Sequence, residues 1–233
     1  MPGDTYKIRR IVLVNMSSYL IFRPGEAILV DCGNSGSEVR ILETMDKLGL
    51  EPEMLRLLVL THSHFDHAGS TARLKELSGC KVMIHRSEAE RLRLGHSPIP
   101  SGTRWKAKLL MGMGRIFARR LMHYMGAEPD LLVDEEFDLE VFGFPGRVIH
   151  TPGHTFGSMV VLMEGGELIG GDTVFGLVNK QHFPPFAEDL PALVRSWDKI
   201  RQLPVKTLYP AHGRPFSRLS FLGEFDAAMK KYS

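Results

Sequence analysis

Six consecutive residues, His62-Ser63-His64-Phe65-Asp66-His67, put four metal-ligand side chains between an apolar run, Leu55 to Leu60 with Arg56 as its one charge, and a helix-compatible stretch, Ser70 to Leu77. A nearly continuous apolar run of strand length suits a strand covered on both faces, so the chain needs a layered fold around it. The cluster therefore stands where a buried strand ends and a helix begins. His62 and His64 are two residues apart and point the same way off a strand end, while the turn into the helix can swing Asp66 and His67 toward a second centre. Imidazole and carboxylate ligands suit Zn²⁺ and also Mn²⁺ or Fe, and a cluster without Cys argues against a closed structural zinc site.

The flanking sequence supplies such layers. Ile8 to Val14, Ser18 to Phe22 and Ala27 to Val30 read as a β meander around the turn Arg23-Pro24-Gly25-Glu26, ending in Asp31-Cys32-Gly33. Ser35 and Glu38 have capping-box spacing ahead of a helix that runs to Gly49. Lys81 to Ile84 reads as strand and Ser87 to Leu94 as helix, continuing a βαβα alternation. Phe137 to Phe142, Arg147 to Ile149, Ser158 to Met163 and Glu167 to Ile169 read as a second meander. A helix capped by Asp189, a strand over Thr207 to Tyr209 and a closing helix over Ser217 to Tyr232 follow. Two β-then-α halves emerge with no linker to separate them, so residues 1–233 are expected to form a single domain.

Three further ligand types stand at turns leaving strands: His154 in Thr151-Pro152-Gly153-His154-Thr155, Asp172 in Gly170-Gly171-Asp172-Thr173 and His212 in Pro210-Ala211-His212-Gly213. Their Gly and Pro neighbours permit tight backbone. With Asp31 at an earlier strand end, these motifs in this order resemble those of the metallo-β-lactamase superfamily, and they run from Asp31 to His212. The resemblance implies an α/β fold, a four-layer αββα sandwich. It implies that His62, His64 and His154 hold one metal ion and Asp66, His67 and His212 a second. Asp172 would bridge the two, and Asp31 would orient ligands from behind them. Two divalent ions, zinc first with Mn or Fe as alternatives, would supply a metal-bound hydroxide near neutral pH. Asp66 could also position the attacking water or assist proton transfer.

The ligand set does not name the substrate. The motifs look most like hydroxyacylglutathione hydrolase (glyoxalase II) and its relatives, which include iron-dependent persulfide dioxygenases. About 20 residues follow His212, enough for about one helix rather than the separate glutathione-holding domain of that enzyme. Phe175 stands where homoserine-lactone lactonases carry a Tyr. Lys180 and His182, on the segment after Asp172, are candidate substrate contacts. An insertion at about 96–130 holds Arg104, Lys106, Lys108, Arg115, Arg119 and Arg120, with no Asp or Glu between Ser101 and Met125. Thr103 to Met125 reads as a basic amphipathic helix, suited to core packing or a homodimer contact, to a substrate lid, or to a membrane or nucleic-acid surface.

Composition narrows the field further. Lys plus Arg number 29 against 27 Asp plus Glu, too balanced for a protein that coats nucleic acid with its whole surface. No apolar run reaches the ~18 residues that cross a bilayer. Two cysteines cannot form a disulfide framework and no secretory signal is visible, so a cytoplasmic setting is expected. The leading expectation is a dinuclear metal-dependent hydrolase of small ester, thioester or lactone substrates. The alternatives are an iron-dependent persulfide dioxygenase-like oxidoreductase using His62, His154 and Asp172, a phosphodiesterase acting on nucleotides or RNA, and a non-catalytic metal-binding scaffold.

Overall fold

The structure is a computed structural model that describes residues 6–97, 122–177 and 181–232. Two six-stranded sheets form its centre. The first orders β1 (Lys7–Val12), β2 (Ser17–Arg23), β3 (Glu26–Val30), β4 (Leu55–Val59), β5 (Lys81–His85) and β6 (Leu131–Val133) as they occur in the chain. The second contains β7 (Glu136–Asp138), β8 (Gly146–His150), β9 (Met159–Met163), β10 (Glu167–Gly171), β11 (Thr207–Pro210) and β12 (Phe216–Ser217), in the order β12-β11-β10-β9-β8-β7. Tight turns join antiparallel neighbours, as at Gly25, whose φ of 81° suits a residue without Cβ. Parallel neighbours need crossovers. Among them are α1 (Glu38–Asp46) between β3 and β4, α2 (Phe65–Ala68) and α3 (Thr71–Ser78) between β4 and β5, and α5 (Leu190–Gln202) between β10 and β11. Helix α4 (Ala89–Leu94) follows β5, and α6 (Arg218–Tyr232) ends the described chain.

Strand alternation sorts the apolar side chains into three layers. In β3, Ala27 and Leu29 face a core with Ile41, Met45, Leu74 and Leu92 from the helices, whereas Ile28 and Val30 face the other sheet. In β9, Met159, Val161 and Met163 meet Ile28, Val30 and Val59 between the sheets, while Val160 and Leu162 pack outward with Leu193, Trp197 and Phe221. Period-two alternation thus covers both faces of both sheets, giving the expected αββα sandwich. Trp197 is fully buried, and its indole N–H donates to Thr173 O at 2.8 Å, fastening α5 beneath the segment that follows Asp172.

Most strands and helices lie within a few residues of the sequence expectation, and three of the differences have a plain physical cause. Ser35 and Glu38 form no capping box. The Ser70 hydroxyl, from another element, accepts the N–H groups of Ser37 and Glu38 at 3.0 and 3.2 Å, and Ser35 Oγ donates instead to Gly69 O. Phe137 to Phe142 alternates like a strand, yet the ladder stops at Asp138, whose side chain caps a 3₁₀ turn over Leu139–Phe142 by accepting Glu140 N–H at 2.9 Å. Leu139 then points inward at 0% exposure and Val141 outward at 71%. The short edge strand β6 has no counterpart in the sequence expectation because Pro129-Asp130 reads as loop. Of the inserted helix expected over Thr103–Met125, residues 103–121 lie outside the described residues. Its described flanks meet in a bridge between His96 and His123, and Tyr124 OH donates to Ser63 O at 2.8 Å.

Candidate metal centre

All seven motif side chains converge where strands of the two sheets end side by side. Backbone bonds cross between the sheets here: Met159 N–H donates to Thr61 O at 2.9 Å and Ser17 N–H to Ala211 O at 2.8 Å. The geometry starts at Asp31, a non-glycine residue with φ of 58°, held there because its carboxylate is fully used. Oδ1 accepts Thr61 N–H at 2.7 Å, and Oδ2 takes the Thr61 hydroxyl and His67 Nδ1, both at 2.8 Å. That fixes the His67 tautomer, with Nδ1 protonated toward Asp31 and Nε2 aimed inward.

Three of the other histidines are held in the same manner, from behind, whereas His64 Nδ1 faces His154 Nε2 at 3.2 Å. His62 Nδ1 lies 3.1 Å from Thr61 Oγ1, His154 Nδ1 donates to Phe186 O at 3.1 Å, and His212 Nδ1 donates to Asn15 O at 2.9 Å. Gly153 lets the His154 turn lie against α5: its φ is 138°, and a Cβ there would come within 2.3 Å of Leu193 N and Cα. Phe175 stacks on the His212 ring, centroids 5.2 Å apart and 16° from parallel.

The inward atoms form three overlapping groups, each with one ligand atom per residue and all within 4.8 Å: His62, His64 and His154; His62, His67 and Asp172; Asp66, His67 and His212. The first and third are the two sets that the sequence motifs imply. Between them Asp172 lies 3.3 Å from His67 Nε2, 3.4 Å from His154 Nε2 and 3.3 Å from His212 Nε2. His62, His64, His67, His154 and Asp172 are buried, whereas Asp66 and His212 keep side-chain exposures of 15% and 19% and form the mouth.

Charge and burial here fit a cation. The Nε2 atoms of His62, His64 and His67 and Asp172 Oδ1 are buried with no hydrogen-bond partner, although unpaired buried polar atoms are costly. Burial, then crowding by neighbouring imidazoles, pushes His62 and His64 well below the usual histidine range, so both stay neutral and free to ligate. Burial opposes charge on His67 too, but the carboxylates of Asp31 and Asp172 outweigh it and raise that group, so a proton competes there with a cation. Burial would likewise raise Asp172, yet the imidazoles of His212, His67 and His154 hold its carboxyl far below the usual range. The donor set of nitrogen and carboxylate oxygen suits zinc, manganese or iron.

Of the two substrate contacts named from the sequence, Lys180 lies outside the described residues. His182 is 3% exposed, with Nδ1 bonded to Phe175 O at 2.9 Å, Nε2 to Ser220 Oγ at 2.8 Å and its ring stacked on Phe216. Sequence reasoning missed Asn15, whose Nδ2 donates to Asp66 Oδ2 at 3.3 Å while its carbonyl holds His212; an Asn in a hairpin turn carries no signal for this. It also missed Thr61, although that residue directly precedes the motif.

Comparison with known proteins follows the same lines. Over 210 residues the chain is 27% identical to a probable metallo-hydrolase of Methanocaldococcus jannaschii, covering 88% of this chain and 91% of that protein. It is 30% identical over 180 residues to the hydroxyacylglutathione hydrolase of Pseudomonas putida, covering 75% of this chain and 54% of that enzyme. Among solved structures, a metallo-β-lactamase family protein of Thermus thermophilus superposes with a TM-score of 0.72 at 22% identity, over 99% of this chain and 81% of that one. The metallo-β-lactamase MIM-1 of Novosphingobium pentaromativorans gives 0.71 at 17%, over 99% and 85%. The model of the metallo-β-lactamase superfamily matches residues 13–212, from the turn that carries Asn15 to His212 itself, and the chain belongs to that superfamily.

Proposed function

We propose that this chain is a dinuclear metal-dependent hydrolase of ester, thioester or lactone substrates. The observation that carries the proposal is the set of buried, unpartnered Nε2 and carboxylate atoms in two groups that share Asp172 as neighbour. His62, His64 and His154 would hold one ion, Asp66, His67 and His212 the other, and Asp172 would contact both; zinc is the first candidate. When bound, two divalent ions lower the pKa of a shared water and polarise the scissile carbonyl. The protein's own residues do the rest. Asp31 and Thr61 keep His67 Nε2 pointing inward, Phe186 O does so for His154, and Asn15 sets the rotation of the Asp66 carboxylate. At the mouth, Asp66 is the carboxylate able to orient a water or pass a proton to a leaving group.

Substrate would approach along a groove of about 910 Å³ beside His212, lined by Arg10, Val14, Asn15, Leu177, His182 and Arg214 among others. Two arginines in an otherwise largely apolar lining favour a substrate with an apolar body and an anionic group. No helix among the described residues is long and apolar enough to cross a membrane. Cys32 and Cys80 are free and buried, as suits the cytoplasmic setting that belongs to this reading. A small-molecule substrate is proposed. The His62, His154 and Asp172 triad expected for an iron oxygenase is not one of the three close groups, but His62, His67 and Asp172 is a two-His, one-carboxylate set, and on it an iron oxygenase is the second reading.

The test is a screen of zinc-loaded protein against esters, thioesters and lactones, with nucleotide phosphodiesters and oxygen consumption on persulfides as competing arms. Hydrolysis of a carbonyl substrate, abolished by chelation and restored by zinc, is expected. Turnover only in a competing arm would overturn the assignment.

A further inference from the structure

We propose that Glu88 is a positioning residue for the His62, His64 and His154 half of the centre, an inference that rests on the metal-site reading above. Glu88 ends a 3₁₀ turn, Arg86–Glu88, between β5 and α4, and exposes 0% of its surface. Such burial of a carboxylate is expensive unless donors surround it. Four do. Oε2 accepts Ser63 N–H at 3.2 Å and also the Ser63 hydroxyl; Oε1 accepts Gly157 N–H at 3.3 Å and Arg91 Nη1 at 3.4 Å.

The identity of these donors gives the carboxylate its role. Ser63 lies between His62 and His64 on the loop leaving β4 in the first sheet. Gly157 lies three residues beyond His154, on the loop between β8 and β9 in the second sheet. One side chain thus fixes the spacing of two loops from opposite halves, the two that carry all three histidines of this group. Arg91 extends the clamp: Nη1 also donates to Glu188 Oε1 at 2.9 Å, Glu188 Oε2 accepts Phe156 N–H at 3.0 Å, and Glu188 N–H donates to His154 O at 3.0 Å. Directly or through Arg91 and Glu188, these bonds hold His154 at its carbonyl and at the two residues Phe156 and Gly157 that follow it. No substitute spans the same gap. Aspartate is one methylene shorter, and glutamine offers one acceptor and one NH₂ where every neighbour is a donor.

The other half is held differently. Asp31 and Thr61 fix His67, and Asn15 contacts both Asp66 and His212; none of these bonds reaches Glu88. Glu88 should therefore govern one metal site and not the other, a selectivity that general destabilisation would not produce.

Zinc affinity, read by chelator competition on the full chain, tests this in two backgrounds. In His212→Ala the three-histidine group is intact, and Glu88→Gln is expected to weaken Zn²⁺ binding there about 10- to 100-fold, the range for residues that orient ligands. In His154→Ala the Asp66, His67 and His212 group is intact, and the same substitution is expected to leave affinity unchanged. Equal weakening in both backgrounds, or none in either, overturns the proposal. If the wild-type chain binds no zinc, the metal-site reading itself fails, a result distinct from both. Should Glu88→Gln not yield folded protein, Ser63→Ala removes a single donor and leaves the carboxylate three. It is expected to weaken binding in the His212→Ala background only, and unchanged affinity there likewise overturns the proposal.

Discussion

Replacing Asp172 with asparagine is expected to lower kcat/KM by on the order of 10³-fold, the equivalent of several kcal/mol of transition-state stabilisation. Asp172 is the anion within 3.3–3.4 Å of three imidazoles, at the point where the two candidate ligand groups meet. Asparagine keeps shape and volume while removing the charge, so the loss falls on cation binding and on whatever the cations stabilise. Elemental analysis of the variant is expected to give fewer ions per chain than wild type, alongside an unchanged far-UV spectrum. Full activity with a full metal complement would mean that Asp172 does not join the two groups.

Stripping metal from the protein is the second large effect expected. Without an ion, three buried imidazole nitrogens and one carboxylate oxygen lack hydrogen-bond partners, and a cation that binds only the folded chain would satisfy them. With free zinc at a thousandfold excess over its Kd, linkage contributes about 4 kcal/mol. For a chain of this size that corresponds to roughly 8–16 °C in Tm. Calorimetry before and after chelation, with zinc added back, measures it. A Tm that does not respond to zinc would show that the cluster is satisfied without an ion.

The candidate ligand residues are legible because each sits beside a local signal: the dense run from His62 to His67, and Gly- or Pro-flanked turns at His154, Asp172 and His212. Their convergence depends on strand ends lining up across two sheets, which the alternation of β-then-α halves already suggested. What stayed hidden acts across long sequence separations. Glu88 reads as an ordinary charge at a helix start, although it bonds residues 25 and 69 positions away. Asn15 reads as turn chemistry until the fold brings it to Asp66 and His212. Likewise the alternation in Phe137 to Phe142 fits a strand until the Asp138 cap makes three-residue turns the better way to bury Leu139. Ser70 takes the capping role expected of Ser35, since a hydroxyl from a neighbouring helix can serve an N-terminus as well as a local one.

The most direct test of a two-ion centre is elemental analysis of the chain purified without added metal. Near two zinc or manganese ions per chain is the expected result. No bound metal even after reconstitution would contradict the centre, and one iron per chain with oxygen consumption would contradict the hydrolase.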